Sequence, residues 1–470
     1  MVDEKFQQDS PFKPSVDGHW ANPDEVEGGL VRGEPTPEEY GAEITAPGRR
    51  AAYQAGVRYV ADYETTEDGM CRHARVHARA LHEAGVPVNL RSIGYRMKID
   101  GIHRRAGEDL LADDVYELVV PMLRTTFEAV ALTIIHAVTR DPTTLLALAL
   151  PDDVQDRPAV AAQILDRTII YAPWECSRVS KRLVDVLNRM GQVWVACARN
   201  AEALRDSGVT GALVRTVPNA FDPQSLLARA AKTDGSSTNQ RRFYHIGKWE
   251  PRKDQHKLLG AFVHRFRPSD GVTLYIKTSP FGEWKNYPGP LDSVKHWLDQ
   301  EDVKRRGWTS SHFDSKSKQN LVRIDERMLT DGEIVGLHRY NNIYVSCAHG
   351  EAWDYPAFDS KVMGNRLVYV GYGGPEDYAA STDIRVPWTT EPVSPEYDWE
   401  PGAQWGGYTV EDLSLALGNA RVPRERDLQW DRAAAQYTTK GVGKHMAKLV
   451  RGLLLEKDEV LSAALGQKGG

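Results

Sequence analysis

The sequence predicts an α/β protein of two doubly wound, Rossmann-like domains facing each other across a cleft, and three observations predict it. Short β-branched runs alternate with stretches of helical period, which is the pattern of parallel βαβ units. A polar stretch of linker composition, AKTDGSSTNQR at 231–241, separates two such series. A chain of 470 residues is also too long for one ordinary core and suits two or three domains.

Residues 1–50 are rich in Pro, Gly and acids without a sustained period, which predicts an irregular arm. The first domain, 51–230, follows with strands VRYVADY (57–63), VPVNL (86–90), EAVALTIIHAV (128–138), RTIIYAPW (167–174), QVWVACA (192–198) and LVRTVPN (213–219). Helices are expected over 68–84, 177–190 and 200–207. The second domain, 231–425, carries strands RFYHIG (242–247), VTLYIKTS (272–279), LVRID (321–325), NIYVSC (342–347) and LVYVGY (367–372). Its helices are expected over 254–266, near 291–298, over 330–340 and after Pro356, whose missing N–H suits a first helical turn. The long polar segment 280–320, with a basic cluster at 304–306, reads as an insertion or lid. An amphipathic helix from Trp430 to about Leu454, in the tail 426–470, is expected to pack back across the hinge.

A formal charge of −6 gives no global sign of a nucleic-acid binder, although a local basic groove is compatible with it. Cys71, Cys176, Cys197 and Cys347 lack metal-ligand or redox spacing, so reduced thiols are expected and no metal site is read from them. No apolar run has the length of a membrane span, and the start MVDEKFQQDS is too polar for a signal peptide. The expectation is a cytoplasmic protein, or one of a host cell's cytoplasm, with peripheral membrane contact left open.

Two stretches of the second domain carry chemistry. In HIGKWEPRKDQHKLLGAF (245–262) a strand runs through Gly247 into a helix near Asp254, with Lys248, Arg252 and Lys253 around the turn. A glycine turn, cations and a helix N-terminus form an anion site, although a basic turn alone is also an ordinary solvated loop. In HGEAWDYPAFDSKVMGNRLVYVGYGGPEDY (349–378), Glu351 lies in a loop after a strand and Asp359 about one turn into the next helix. Both acids then fall beyond the carboxyl ends of strands, where open α/β sheets bind ligands. The alternative is an acidic helix start that complements the macrodipole. A ligand with a diphosphate at one end and hydroxyls at the other satisfies both stretches.

The order VPNAFDP, GKWEPRK, then Glu-x7-Asp followed by GYGGPED resembles the retaining nucleotide-sugar glycosyltransferases of GT-B fold, the group that includes bacterial mannosyltransferases and sucrose synthase. The likeness runs over roughly 168–378. It implies transfer of a sugar from a nucleotide-diphosphate sugar, a UDP-sugar being favoured, to a hydroxyl acceptor, with no metal ion and no tightly bound cofactor. By position, Lys248 and Lys253 would touch the donor diphosphate beside Gly247 and Arg252. Glu351 would contact the donor sugar and Asp359 the ribose hydroxyls. Gly373, Gly374 and Glu376 match the family's glycine pair and acid, and backbone near Arg327 and Met328 would read the base. In the first domain Gly69 stands at the turn approaching the phosphate, with an ordinary N-cap by Asp68 as the alternative. His136 resembles the histidine that reaches the donor sugar, with a structural histidine at a strand end as the alternative. Asp359 is one methylene shorter than the family's usual Glu. Lys248 replaces an Arg fork by a point charge. Ala352 and Asp354 replace small glycines, so an uncommon donor sugar is expected.

Trp174 and Glu175, at another strand end, would line the acceptor cleft or simply pack and cap. Helix 71–84, with Arg72, His73, Arg75, His77 and Arg79, offers either a solvated face or a surface for anionic lipid or a nucleic-acid backbone. The acceptor is thus a glycan, a lipid-linked sugar, a small molecule or modified DNA, where a 5-hydroxymethylated pyrimidine would present a primary alcohol after base flipping. A scaffold that binds nucleotide sugars without turnover is the alternative of another class.

Overall fold

The computed structural model describes residues 53–63, 69–93, 119, 121–123, 125, 127–137, 141–151, 154, 157–225, 228, 230, 239–279, 284–314, 316, 317 and 320–466. The expected arm over 1–50 and most of the polar break at 231–241 lie outside these residues.

The first sheet is six-stranded and parallel, in the order β2-β1-β3-β4-β5-β6. Its strands are β1 (Tyr53–Ala61), β2 (Val88–Ser92), β3 (Phe127–His136), β4 (Thr168–Tyr171), β5 (Gln192–Val195) and β6 (Val214–Thr216). The central strands are buried on both faces, so they read as near-continuous apolar runs rather than alternating ones. Helices α1 (Gly69–Glu83), α2 (Pro142–Ala149), α3 (Pro158–Asp166), α4 (Lys181–Leu187) and α5 (Ala198–Asp206) connect them. The sequence reading omitted α2 and α3. Both carry Pro at the first turn, and α2 is capped by Asp141, which accepts from Thr143 and Thr144. Ile135, Ile170, Val193 and Val195 pack against Leu145, Leu165 and Leu183 to form the core on this side.

The second sheet is also six-stranded and parallel, in the order β12-β11-β10-β7-β8-β9. It comprises β7 (Arg242–Ile246), β8 (Thr273–Lys277), β9 (Val322–Asp325), β10 (Ile343–Ser346), β11 (Arg366–Val370) and β12 (Ile384–Val386). Its connecting helices include α6 (Gln255–Arg265), α7 (Pro290–Leu298), α8 (Glu301–Arg305), α9 (Asp331–Tyr340), α10 (Tyr355–Val362) and α11 (Gly374–Tyr378). Strand order reverses between β7 and β10, and a doubly wound sheet opens a ligand crevice beyond the carboxyl ends of the two strands at such a point. An antiparallel pair, β13 (Thr389–Pro392) and β14 (Gln404–Gly407), and helix α12 (Val410–Asn419) complete this half.

Two expectations are corrected. The segment 280–320, read as an insertion or lid, contains α7 and α8 packed on α6. Trp308 Nε1 donates to the carbonyls of Val263 and Phe266, and a Cβ on Gly260 would collide with the ring of Trp297. The single terminal helix is broken into α13 (Leu428–Ala433) and α14 (Thr439–Gly466), with a 3-10 turn at Ala434–Tyr437 between them. Helix α14 lies close on α1, where the absent Cβ of Gly443 makes room for the carbonyl of Ala80.

Candidate functional site

The loops after β4, β7 and β10 bring two cations and three carboxylates together. Arg252 Nη1 lies 2.8 Å from Glu351 Oε1 and 3.1 Å from Glu175 Oε1, and it donates to the carbonyl of Gly350 at 2.8 Å. Its Nη2 sits 2.7 Å from Glu250 Oε1. Lys253 Nζ also pairs with Glu351 Oε1. Burial opposes charge on Glu351, but Lys253 and Arg252 outweigh it and hold its carboxyl below the ordinary range. Burial likewise opposes charge on Lys253, and Glu351 overrides that and raises its pKa. Glu175 goes the other way, pushed up by burial with Arg252 opposing. The result is a fixed pair of charged donors beside the N-terminus of α6 and an anionic acceptor beside them.

Backbone geometry locks the two loops to one another. Asp254 caps α6 in the left-handed region, φ 48°, accepting from Lys257 N at 3.2 Å. Its other oxygen lies 2.9 Å from His349 Nε2, while His349 N donates to the carbonyl of Arg252. His349 Nδ1 lies 2.9 Å from Glu391, and the ring stacks on Trp405 at 4.8 Å. Burial lowers the pKa of His349, but Asp254 and Glu391 reverse this and raise it; Asp254 is lowered to about 2, because His349 and Lys257 overcome its own burial. Asp354 takes the same left-handed capping conformation at α10, φ 66°, accepting from Ala357 N and from the Ser346 hydroxyl. Asp tolerates this region through its short polar side chain. Burial pushes Asp354 up to about 6.

The glycine pair serves the same loop. Gly373, φ 116°, bridges Glu351, and Gly374 N donates to the Glu351 carbonyl at 3.0 Å. A Cβ on Gly373 would collide with the Glu351 backbone and one on Gly374 with that of Trp353. A Cβ on Gly247 would crowd the His245 ring at 2.9 Å and meet Lys253 at ordinary contact distance.

Other expected site residues lie elsewhere. Lys248 is exposed on the loop. Asp359 is buried but faces Arg72 of α1 in a bidentate pair, 2.5 and 2.9 Å. Glu376 pairs with Arg385 at 2.9 Å, and the Arg327 guanidinium is held by Asp325 at 2.9 and 2.7 Å. Met328 is 61% exposed. Gly69 opens α1 facing Tyr355. His136 is 2% exposed, with Nδ1 2.8 Å from the Tyr59 hydroxyl, among His73 and His77.

Of the two alternatives for 71–84, a solvated face or a basic surface, neither describes the whole segment, since of Arg72, His73, Arg75, His77 and Arg79 only Arg72 and Arg79 are about a third exposed. His73, Arg75 and His77 are buried, Arg75 donates to the Tyr63 carbonyl, and Arg79 pairs with Glu83 and Asp222. Trp174 and Glu175 line an apolar cavity of about 110 Å³ with Met70, Ile170, Ala352 and Trp399. The sequence reading missed Asp254, Glu250 and His349 as site residues. The one signal was position: each stands within two residues of Arg252 or Glu351.

No family model matches the chain, and no curated protein matches its sequence. Among solved structures it is similar to an α,α-trehalose 6-phosphate synthase from Burkholderia multivorans, at 12% identity and TM-score 0.51 over 87% of this chain and 100% of that one. It is similar also to a UDP-forming α,α-trehalose-phosphate synthase from Burkholderia xenovorans in complex with glucose-6-phosphate, at 12% identity and TM-score 0.50, covering 84% and 100%. A glycosyltransferase from Rickettsia africae shows 10% identity and TM-score 0.50, covering 86% and 99%. What these chains share with this one is the pairing of two Rossmann-like sheets: the chain has the GT-B fold, in divergent form.

Proposed function

We propose that the protein is a glycosyltransferase that moves a sugar from a nucleotide-diphosphate sugar to a hydroxyl acceptor with retention of configuration. The observation that carries the proposal is the buried contact of Arg252 and Lys253 with Glu351 at the β7/β10 switch point. Cations aimed at a departing diphosphate supply the main stabilisation of an oxocarbenium-like transition state. Lys253 and Arg252, with amides of the glycine turn, take that charge when the diphosphate replaces Glu351 as their partner. Lys248, exposed on the same loop, adds long-range attraction.

Glu351, once released, orients sugar hydroxyls. The acceptor's proton passes to the leaving phosphate oxygen on the same face of the sugar, so no protein base is required. Asp359 receives the ribose after parting from Arg72. Because Arg72 belongs to α1 and Asp359 to α10, donor entry and loosening of the contact between the two halves are one event. A UDP-sugar is the favoured donor, in keeping with the UDP-forming synthase of the same fold. The cavity beside Trp174 and Glu175 adjoins Ala352 and is the place for the acceptor.

The test is release of nucleoside diphosphate from UDP-, GDP- and ADP-sugars by the purified chain and by Lys253→Ala. Turnover falls about 100-fold or more in the variant, the usual scale for loss of one transition-state donor. Near-normal turnover in Lys253→Ala contradicts the phosphate assignment. Binding of a sugar nucleotide with no release by the unaltered chain favours a non-catalytic scaffold.

A further inference from the structure

Three histidines that the proposed reaction does not use meet in the interior of the first half. His73 and His77 stand one turn apart on α1, and His136 ends β3, with exposures of 1%, 0% and 2%. One ring nitrogen from each lies within 4.8 Å of the other two. The position is the crevice of the first sheet, where strand order turns between β1 and β3.

The hydrogen bonds satisfy these rings only in part, His73 Nε2 lying 2.8 Å from His77 Nε2 as the acceptor of a shared proton. His77 Nε2 lies 2.9 Å from the carbonyl oxygen of Pro218. A carbonyl only accepts, so that nitrogen carries the proton and Nδ1 carries the lone pair. Nδ1 is buried with no partner among the described residues. His136 Nδ1 shares a hydrogen bond with the Tyr59 hydroxyl, and its Nε2 is likewise buried without a partner. Either tautomer of His136 leaves that atom unsatisfied, and an orphaned buried polar atom is costly. The hydroxyl of Tyr355, whose ring lies 5.8 Å from that of His73, is a third buried polar group without a hydrogen-bond partner among the described residues.

We propose that His73, His77 and His136 bind a divalent transition-metal ion of the zinc class, with water or the Tyr355 hydroxyl at the fourth position. Three neutral imidazoles without a carboxylate suit zinc, cobalt, nickel or copper and not magnesium or calcium. Tyr59 on His136 and the Pro218 carbonyl on His77 are the outer partners that metal-bound histidines use to fix ring orientation. Bonds of about 2.0–2.1 Å in tetrahedral geometry set ligand nitrogens roughly 3.3 Å apart. Ring rotations of about 1–1.5 Å therefore close the cluster around an ion. The ion ties α1 to β3 beside the start of α10, so its first effect is on the stability of that junction. The inference stands independently of the glycosyltransfer reading.

The experiment uses the full chain without a polyhistidine tag, stripped with a chelator and titrated with cobalt(II) and zinc(II). The expected result is one equivalent of cobalt with the visible ligand-field absorption of a four-coordinate ion, displaced by zinc, and a zinc-dependent rise in melting temperature. His136→Gln abolishes the spectrum and the rise. Tyr59→Phe, which keeps the core filled, weakens binding by about 10–100-fold, the range for an outer-shell partner. Absence of stoichiometric binding by the unaltered chain overturns the proposal. So does cobalt binding that survives His136→Gln, since the ion then sits on surface groups. Should His136→Gln fail to fold, unchanged affinity in Tyr59→Phe overturns it as well.

Discussion

The two sheets each end in a crevice where their strand order turns, and the two crevices are chemically opposite. Beyond β7 and β10 stand Arg252, Lys253, Glu351, Asp254 and His349, all charged or held toward charge by a partner of opposite sign. At the carboxyl ends of β1, β3 and β4 stand Tyr59, His136 and Tyr171, packed ring to ring with His73 and His77 of α1, and burial holds the histidines toward the neutral form. Similar topology thus yields one crevice suited to an anion and another suited to a cation that needs lone pairs. Fold alone fixes where ligands go; side chains fix which ligands.

The contrast can be broken most severely at Lys253. Lys253→Ala should lower turnover about 100-fold or more, while a conservative change in the neutral crevice, Tyr59→Phe, should leave turnover within a few-fold. Steady-state rates of the two variants check this. Next in size is Gly373→Ala, which places a Cβ against the Glu351 backbone at a positive φ. A cost of about 2–4 kcal/mol in urea unfolding is expected from strain and overpacking together. Asp354→Ala removes a left-handed cap and should cost about 1–2 kcal/mol, with Asp354→Asn costing less because the cap survives.

Acidity sharpens the same comparison. The pKa of His349 is raised above its ordinary value of 6.5, so its contribution is complete below that value and fades as pH rises through the folded pKa. Asp254, lowered from 3.8 to about 2, contributes fully above 3.8 and loses its contribution as pH falls toward 2. The difference in melting temperature between the unaltered chain and His349→Gln should therefore be largest near pH 5 and shrink above neutrality. The smallest effect concerns Arg72. Its pair with Asp359 is a third exposed on the arginine and buried on the carboxylate, so Arg72→Gln, which still offers the buried carboxylate a donor, should cost about 1 kcal/mol. It should tighten UDP binding a few-fold by freeing Asp359, a shift that calorimetry resolves.

The alternation of VRYVADY, TIIY, RFYHI, IYVS and LVYV with helical stretches made the βαβ architecture legible, because parallel strands buried on both faces show in the sequence as unbroken apolar runs. Glu351 and Lys253 were legible as neighbours because topology alone puts the ends of β7 and β10 side by side. Asp254 and His349 were not, since a cap in the left-handed region and a stacked histidine leave no periodic trace. Helix α1 misled for a physical reason. Arg72, Arg75, His73 and His77 count as polar in any pattern, yet a facing carboxylate, a backbone carbonyl and one another allow all but Arg72 to be buried. The helices α2 and α3 escaped notice because they are short and mostly apolar after their proline starts, so they carry little helical contrast.

Calorimetric titration of UDP into the unaltered chain and into Lys253→Ala tests the central claim most directly. The charged crevice predicts saturable one-to-one binding that is lost or greatly weakened in the variant. No binding of UDP, GDP or ADP by the unaltered chain, or equal binding by the variant, would contradict it.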